Sequence, residues 1–415
     1  MLTHAIVFTD WGLIGERNLS RHVVGEIGFS GYLINELALA SKHWLEERSL
    51  ASQSTAPYRK FLTRVKEANG SITEIQSRKN LIYIQMESVD GLSIDATYQD
   101  APLMPFLHEL RNQTCYFENT IDNTSSGRTT DGEFLALTSL PPISGTPVYR
   151  NYDLSKVPSL PRILNAHGYY TFSIHGFDGH FWNREASHHA LGYSESFFRD
   201  DLDDSDTIGW GISDRSILRQ AAQKISDSKR PVFAHIILLT NHHPYDHVSE
   251  SIGHPSGDIA IDHIESLRYV DKSIQDFFEI LERDGALNNS IIAIYSDHDS
   301  AIRKEVSDVV SIQSRQVYAD SIPLIIYGLE TPPRRIRKIA GLQDLPVIAL
   351  QELGIPVPYS FSGNSLASQR PTLTPNNEFL SLRSGKLTRT RTEFDASTLT
   401  RMALLRPDHL KNEER

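Results

Sequence analysis

The sequence predicts an α/β fold: a doubly wound, mixed but mostly parallel sheet with helices on both faces, led by a helical N-terminal segment. Three observations carry this reading. Short apolar runs of strand length recur along the chain. Stretches with a 3.6-residue apolar repeat separate them. Carboxylates and imidazoles follow several of the runs, where an open α/β sheet has its ligand-binding edge.

Residues 1–75 read as the helical segment. Phe29, Tyr32, Leu33, Leu37, Ala40 and Trp44 recur at helical spacing and predict one packing face. Pro57 opens a second helix, with Tyr58, Phe61, Leu62 and Val65 on one side and Asn69-Gly70 as its stop. Residues 76–368 read as the α/β domain. Its predicted strands are Leu81–Met86, Tyr169–Ile174, Val232–Leu239, Ile291–Tyr295 and Ile322–Tyr327. Between them, the stretch from Asp214 to Lys229 turns Ile217, Leu218, Ala221, Ala222 and Ile225 inward. A longer helix carries Ile264, Leu267, Val270, Ile274, Phe277, Phe278 and Leu281 and stops at Gly285. Residues 369–415 are rich in Thr, Arg, Asn and Ser with little period; they read as a polar tail that holds a short strand pair or is partly disordered.

Bulk composition narrows the function classes. A chain of 415 residues with 39% hydrophobic and 22% charged residues can bury a large core. A formal net charge of −11 counts against nucleic-acid binding, which needs a basic face to displace counterions. It leaves anionic substrates open, because a metal and a few local cations can dominate a pocket. Cys115 is the single cysteine, so neither an intrachain disulfide nor a cysteine-rich zinc site can form, and it reads as a small core residue. No apolar stretch approaches the roughly 20 residues of a membrane helix. Met1 to Arg17 carries Asp10 and Glu16 and lacks the pattern of a signal peptide. Oligomeric state is not legible.

The chemistry gathers at the predicted strand ends. Glu87 follows Met86, His175 follows Ile174, Thr240-Asn241-His242-His243 follows Leu239, and Ser296-Asp297-His298-Asp299 follows Tyr295. Each alone is an ordinary loop residue. If the strands are parallel they share one edge, and carboxylates with imidazoles make a ligand set for Mg2+, Mn2+ or Zn2+. A second feature, Asn123 to Phe134, leads small residues and Gly127 into a helix start at Thr129-Thr130, with Glu133 at capping-box distance from Thr130. This is an ordinary helix cap or a hydroxyl nucleophile at a helix N-terminus, where backbone N–H groups favour a phosphate or sulfate. A third, His175 to Arg184, holds Trp182 and Arg184 in a glycine-containing loop. Arg184 is either a surface cation or a clamp on an anionic oxygen.

Taken in order, these motifs resemble the lipoteichoic acid synthase and phosphoglycerol transferase family of the alkaline phosphatase and sulfatase superfamily. The resemblance rests on Asn80-Leu-Ile-Tyr-Ile-Gln-Met-Glu87-Ser88, Gly127-Arg-Thr129-Thr-Asp-Gly-Glu133-Phe134, His175-Gly with Phe181-Trp-Asn-Arg184, Asn241-His242-His-Pro244 and Ser296-Asp297-His298. It covers roughly residues 75–368, with a weaker echo at Gly31 to Leu37. It implies that Glu87, Thr129, Asp297 and His298 coordinate one divalent ion, Mn2+ or Mg2+, with Zn2+ as a further candidate. It implies that Thr129 attacks phosphatidylglycerol and passes glycerol phosphate to a glycan or polyglycerolphosphate acceptor. His175, Arg184 and His242 would bind the phosphoryl group and assist proton transfer, and Trp182 would line the pocket. Thr130 is the alternative nucleophile, since relatives usually carry Thr-Ser where this chain has Thr129-Thr130. The family also implies a membrane surface, at the periplasmic or extracytoplasmic face of the cell membrane, and five membrane helices upstream of where this chain begins.

Other readings share the scaffold. A true sulfatase needs a Cys or Ser at the position of Thr129 and a proline where Asp131 stands. A soluble phosphodiesterase would pass the phosphoryl group to water. A non-catalytic relative would bind a headgroup or glycan without turnover.

Overall fold

The centre of the molecule is a nine-stranded mixed sheet, seen in a computed structural model that describes residues 20–70, 78–312 and 320–410. Its strands are β1 (Asn80–Met86), β2 (Cys115–Ile121), β3 (Tyr170–His175), β4 (Glu195–Phe197), β5 (Val232–Ile237), β6 (Ser290–Ser296), β7 (Ser321–Ile322), β8 (Leu324–Tyr327) and β9 (Arg334–Ala340). Their spatial order is β7-β2-β8-β6-β1-β5-β3-β4, with β9 beside β2. From β4 to β6 every pairing is parallel. Beyond β6 the sheet turns antiparallel at β8. The run predicted over Ile322–Tyr327 is therefore two pieces, β7 and β8, interrupted at Pro323, which has no N–H to give a ladder.

The parallel strands β1, β3, β5 and β6 are buried on both faces, as their unbroken apolar runs require. Leu81 and Tyr83 of β1 enter one core cluster, and Ile82, Ile84 and Met86 enter the other. The principal helices are α1 (Ser20–Ala51), α2 (Ala56–Asn69), α3 (Thr129–Thr138), α4 (Arg184–Leu191), α5 (Asp214–Asp227), α6 (Ile259–Arg283), α7 (Leu345–Glu352) and α8 (Ala396–Leu405). Residues of α2, α3, α7 and α8 fill the first cluster, and those of α5 and α6 the second. In α6 the predicted apolar residues are all buried, and the Asp258 side chain caps the start by accepting from the N–H groups of Ala260 and Ile261. Each large aliphatic side chain so buried contributes about 1.5–3 kcal/mol.

The N-terminal helices need one correction. In α2 the four predicted residues are buried, and Gly70 at φ 73° ends the helix. In α1, Leu37 is 61% and Trp44 56% exposed, and Ala40 is also exposed, so these three do not form a packing face. The side chains of Phe29, Tyr32 and Leu33, and residues 1–17 as a whole, lie outside the described residues. The contacts of α1 run instead through His43 stacked on Tyr152, Glu46 accepting from the Tyr152 hydroxyl at 2.8 Å, and buried Leu50. A spacing of three and four finds a face but not which face is covered. At the other end, Thr372–Leu373, Glu378–Arg383 and Lys386–Arg391 form an antiparallel sheet, and α8 inserts Leu399, Met402 and Leu404 into the core. Among the described residues no helix is long and apolar enough to cross a membrane.

Candidate metal centre and active site

Strand register explains how the predicted residues meet. β1 lies between β5 and β6, and Met86 pairs with Ser296. Glu87 and Asp297, one residue further on, therefore leave the sheet side by side. On the other side His175 ends β3 opposite Ile237 of β5, so the loop from Thr240 to His243 emerges between it and Glu87. All four strands are parallel, so every one of these groups falls on one edge.

Glu87, Asp297 and His298 form a buried cluster with ligand atoms within 4.8 Å of one another. His298 Nε2 is 3.5 Å from Glu87 Oε1 and 3.4 Å from Asp297 Oδ2. Tetrahedral ligands at metal bonds near 2.1 Å stand about 3.4 Å apart, so the spacing fits a cation. Three further facts support that fit. Asp297 Oδ2 is buried with no hydrogen-bond partner among the described residues, while Oδ1 accepts from the backbone of Ser88 and His298. His298 Nδ1 donates to the Asp299 carbonyl at 2.8 Å, which turns the Nε2 lone pair into the cluster. Burial, and then the charge of Asp297, push Glu87 up to about 8. Burial opposes protonation of His298, but Asp297 and Glu87 outweigh it and raise its pKa. Two carboxylates held this closely in a buried site call for a compensating positive charge.

The first turn of α3 abuts the cluster from above. Arg128 Nη2 lies 3.0 Å from His298 Nδ1 and donates to Asp299, and its other nitrogen pairs with Asp122. Gly132 sits against the backbone of Asp297 so closely that a Cβ there would stand 2.7 Å from the carbonyl oxygen. Thr129 lies between these two contacts. It is half-buried, and its hydroxyl has no hydrogen-bond partner among the described residues. Thr130 is 1% exposed and spends its hydroxyl on the Gly127 carbonyl at 3.0 Å. Two expectations for this segment change. The N–H groups of Thr130, Asp131 and Gly132 already donate to the carbonyls of Gly127 and Arg128, so they are not free to receive a phosphate. Glu133 makes no capping box.

Glu133 instead anchors Arg184. Arg184 Nε and Nη2 donate to one Glu133 oxygen at 3.0 and 2.8 Å, and His188 Nε2 lies 2.9 Å from the other. Arg184 is only 2% exposed, so it is not a surface cation. Its Nη1 is buried and unpartnered among the described residues, one guanidinium edge left to spend. Burial pushes Glu133 up, but Arg184 and His188 outweigh it and hold the carboxyl well below its ordinary range. His175 donates its Nδ1–H to the Ile237 carbonyl at 3.0 Å. Burial, with Arg184 nearby, lowers it to about 3, so it is neutral and presents Nε2 as an acceptor. His242 is half-buried, donates Nδ1–H to the His243 carbonyl, and is also lowered by burial. Trp182 lies in the left-handed region at φ 60°, followed by Asn183 at φ 58°, and the Arg150 guanidinium covers its ring at 4.1 Å. Asn183 holds this strained turn by donating to the Tyr149 carbonyl.

Several supporting residues were not singled out from sequence. Ser88, at φ 55°, donates to Glu87 Oε1 at 2.7 Å, and Asn241 Nδ2 donates to the Glu87 carbonyl at 2.8 Å. Asp131 gathers the Ser125 and Gly127 N–H groups and so shapes the loop before Thr129. Trp210 lies against His242 with ring centroids 4.0 Å apart and the ring planes tilted by 37°. Residues beside a strand-end motif, such as Ser88 and Asn241, carried a positional signal; Trp210, on a separate hairpin, carried none.

Comparisons with known proteins agree with this architecture. A family model described as Sulfatase matches residues 79–355. Lipoteichoic acid synthase 2 of Bacillus subtilis is 30% identical over 349 residues, covering 77% of this chain and 53% of that protein. A lipoteichoic acid synthase of Staphylococcus aureus is 30% identical over 270 residues, covering 61% of this chain and 41% of that protein. The chain thus spans about half the length of the curated relatives it matches. Among solved structures, the lipoteichoic acid synthase LtaP of Listeria monocytogenes superposes with a TM-score of 0.69 at 22% identity, over 84% of this chain and 97% of that one. A Streptococcus pyogenes phosphoglycerol transferase, GacH, in complex with sn-glycerol-1-phosphate, shares the fold at TM-score 0.53 and 17% identity, over 76% of this chain and 84% of that one.

Proposed function

Because the chain belongs to the sulfatase family, within the alkaline phosphatase and sulfatase superfamily and with lipoteichoic acid synthases among its relatives, we propose that it is a metal-dependent phosphoglycerol transferase. Residues 76–368 are its catalytic domain, working at the extracytoplasmic face of the cell membrane. The donor is a phosphatidylglycerol-type lipid and the acceptor a hydroxyl of a glycan or a polyglycerolphosphate chain. The observation that carries this reading is the uncommitted Thr129 hydroxyl, held between Arg128 on His298 and Gly132 on Asp297.

Glu87, Asp297, His298 and the Thr129 oxygen would hold one divalent ion, Mn2+ or Mg2+ by the carboxylate-rich set, with Zn2+ also suited. When bound, the ion stabilises the threonine alkoxide and the charge on the phosphoryl oxygens. Thr129 Oγ forms a bond to phosphorus, and the bond from phosphorus to the diacylglycerol oxygen breaks. The Thr129 proton passes to Nε2 of the neutral His242, which hands it on to the departing diacylglycerol oxygen. An acceptor hydroxyl then forms its bond to phosphorus as the bond from phosphorus to Thr129 Oγ breaks, and the acceptor's proton passes through the neutral imidazole to Thr129 Oγ. The Nη1 edge of Arg184, unpartnered among the described residues, would donate to a developing oxyanion with its other nitrogens already fixed by Glu133, so little reorganisation is needed. Neutral His175 offers Nε2 to a donor hydroxyl or to the acceptor proton.

The test is incubation with phosphatidylglycerol and Mn2+, followed by diacylglycerol quantitation and mass analysis of the Thr129 peptide. Metal-dependent diacylglycerol release with a glycerophosphoryl adduct on Thr129 is expected. Release that persists in Thr129→Ala would overturn the assignment. Free glycerol phosphate formed whatever acceptor is supplied would identify a hydrolase.

A further inference from the structure

An aromatic surface beside His242 has no part in the chemistry above. The hairpin Thr207–Ile208 and Gly211–Ile212 presents Trp210 at its tip. Trp210 lies against His242 at 4.0 Å with the ring planes tilted by 37°, and Phe177 and Phe181 lie 6.0 and 6.4 Å from it, ring centre to ring centre. Phe181 continues to Trp182 at 6.1 Å. Phe181 is 40% and Trp210 39% exposed, so large faces of both rings look outward. The platform is prebuilt. At Gly209, which has φ 62°, a Cβ would run into the His247 ring, and at Gly211 one would run into the Gly176 carbonyl next to His175. Ile212 N–H also donates to that carbonyl at 3.0 Å. Trp210 is thereby tied to the His175 loop as well as to His242.

The charge around this platform narrows its occupant. Between Phe177 and Gly211 the chain has eight acidic residues and two arginines. One of those arginines, Arg184, is spent inside on Glu133, and the other, Arg199, pairs with Asp204; Arg215 and Arg219 of α5 pair with Asp206 and Asp203, which leaves Asp178, Glu185, Glu195, Asp200 and Asp201 unmatched by arginine among the described residues. Asp178 and Glu185, on the same loop as Phe177 and Phe181, are 64% and 60% exposed and share the His180 ring between them at 3.3 and 3.4 Å. An acidic collar repels a polyglycerolphosphate chain, which bears one phosphate per unit, and an anionic bilayer. A neutral sugar has the opposite fit: its C–H face packs on aromatic rings, and its hydroxyls donate to carboxylates.

We propose that Phe177, Phe181 and Trp210 form the acceptor subsite, and that the acceptor is an uncharged glycan stacked there with a hydroxyl reaching toward His242. This deepens the transferase reading and rests on it. Binding needs no turnover, so the two are tested separately: failure of the transferase reading appears in diacylglycerol release, failure of this one in binding.

The experiment titrates the full chain with neutral hexasaccharides of glucose, galactose and mannose, a polyglycerolphosphate oligomer, and phosphatidylglycerol vesicles, using calorimetry and saturation-transfer NMR. At least one neutral hexasaccharide is expected to bind. Trp210→Ala and Phe181→Ala are each expected to weaken it about tenfold, the loss of one stacking partner. Circular dichroism and the unfolding midpoint establish that each variant is folded; if one is not, the other decides. The proposal is overturned if no neutral hexasaccharide binds at millimolar concentration, or if binding is unchanged in the folded variants. It is equally overturned if the phosphate polymer or the vesicles alone bind through these residues.

Discussion

Gly132→Ala sets two known effects against each other at the point where α3 meets the metal cluster. In an ordinary helix interior the change stabilises by about 1 kcal/mol, because alanine loses less backbone freedom on folding. Here the new Cβ would stand 2.7 Å from the Asp297 carbonyl oxygen, 3.0 Å from its Cα and 3.1 Å from its Cβ, where ordinary contact begins at 3.4 Å. The deficit at the oxygen is about 0.7 Å, and none of the three atoms is the tip of a flexible side chain. The far side of α3 cannot give, since Phe134, Leu135 and Leu137 are fully buried. Overpacking of this kind costs about 1–3 kcal/mol, so the helix gain is cancelled or exceeded. The larger effect falls on the ligand. Metal sites tolerate ligand errors of about 0.2 Å, so displacing Asp297 by several tenths of an ångström should weaken Mn2+ binding roughly tenfold or more. Calorimetric titration with Mn2+ and the unfolding midpoint with and without the ion measure both quantities. A variant with a raised midpoint and unchanged Mn2+ affinity would refute the contact between α3 and Asp297 as described.

Thr130→Ala removes the bond to the Gly127 carbonyl and should cost about 0.5–1.5 kcal/mol in urea unfolding while turnover survives, whereas Thr129→Ala should abolish turnover with little change in stability; the reverse pattern moves the nucleophile by one residue. Arg184→Ala leaves Glu133, 0% exposed, without its cation and should destabilise by about 3–5 kcal/mol, while Glu133→Gln with Arg184→Met should be milder. Equal losses in the single and double variants, read from urea midpoints, would deny the pairing. His263 is buried against Tyr245 at 4.5 Å with neither ring nitrogen bonded among the described residues, and burial lowers it to about 3. A depressed histidine contributes stability that is lost as pH falls below the unfolded value near 6.5, because only the unfolded chain takes the proton. His263→Leu should therefore gain on the wild type as pH drops from 7 to 5, by at most about 1.4 kcal/mol per pH unit. A difference in unfolding free energy that stays flat over this range would show that His263 is not held neutral.

Much of the site was legible because strand-end positions are a property of local sequence. Apolar runs locate β1, β3, β5 and β6, and the residues that follow them are Glu87, His175, His242 and Asp297-His298. The short strand β4, and β2 and β9 with their polar and basic residues, carry no such run and were not read. The helix stop at Gly285 and the caps Ser213 and Asp258 are likewise local chemistry.

The amino-acid sequence alone determined the α/β class, the identity of the carboxylate and imidazole groups, and the threonine pair at a helix start, because periodicity and neighbouring residues encode them. Only the folded arrangement decided that Arg184 is buried on Glu133, that the first N–H groups of α3 are already spent, that Thr129 rather than Thr130 keeps its hydroxyl open, and that Trp210 reaches His242. Each of these depends on which distant segments come within a few ångströms. Strand order and packing set that proximity, and a pattern read along one stretch of chain contains no measure of it.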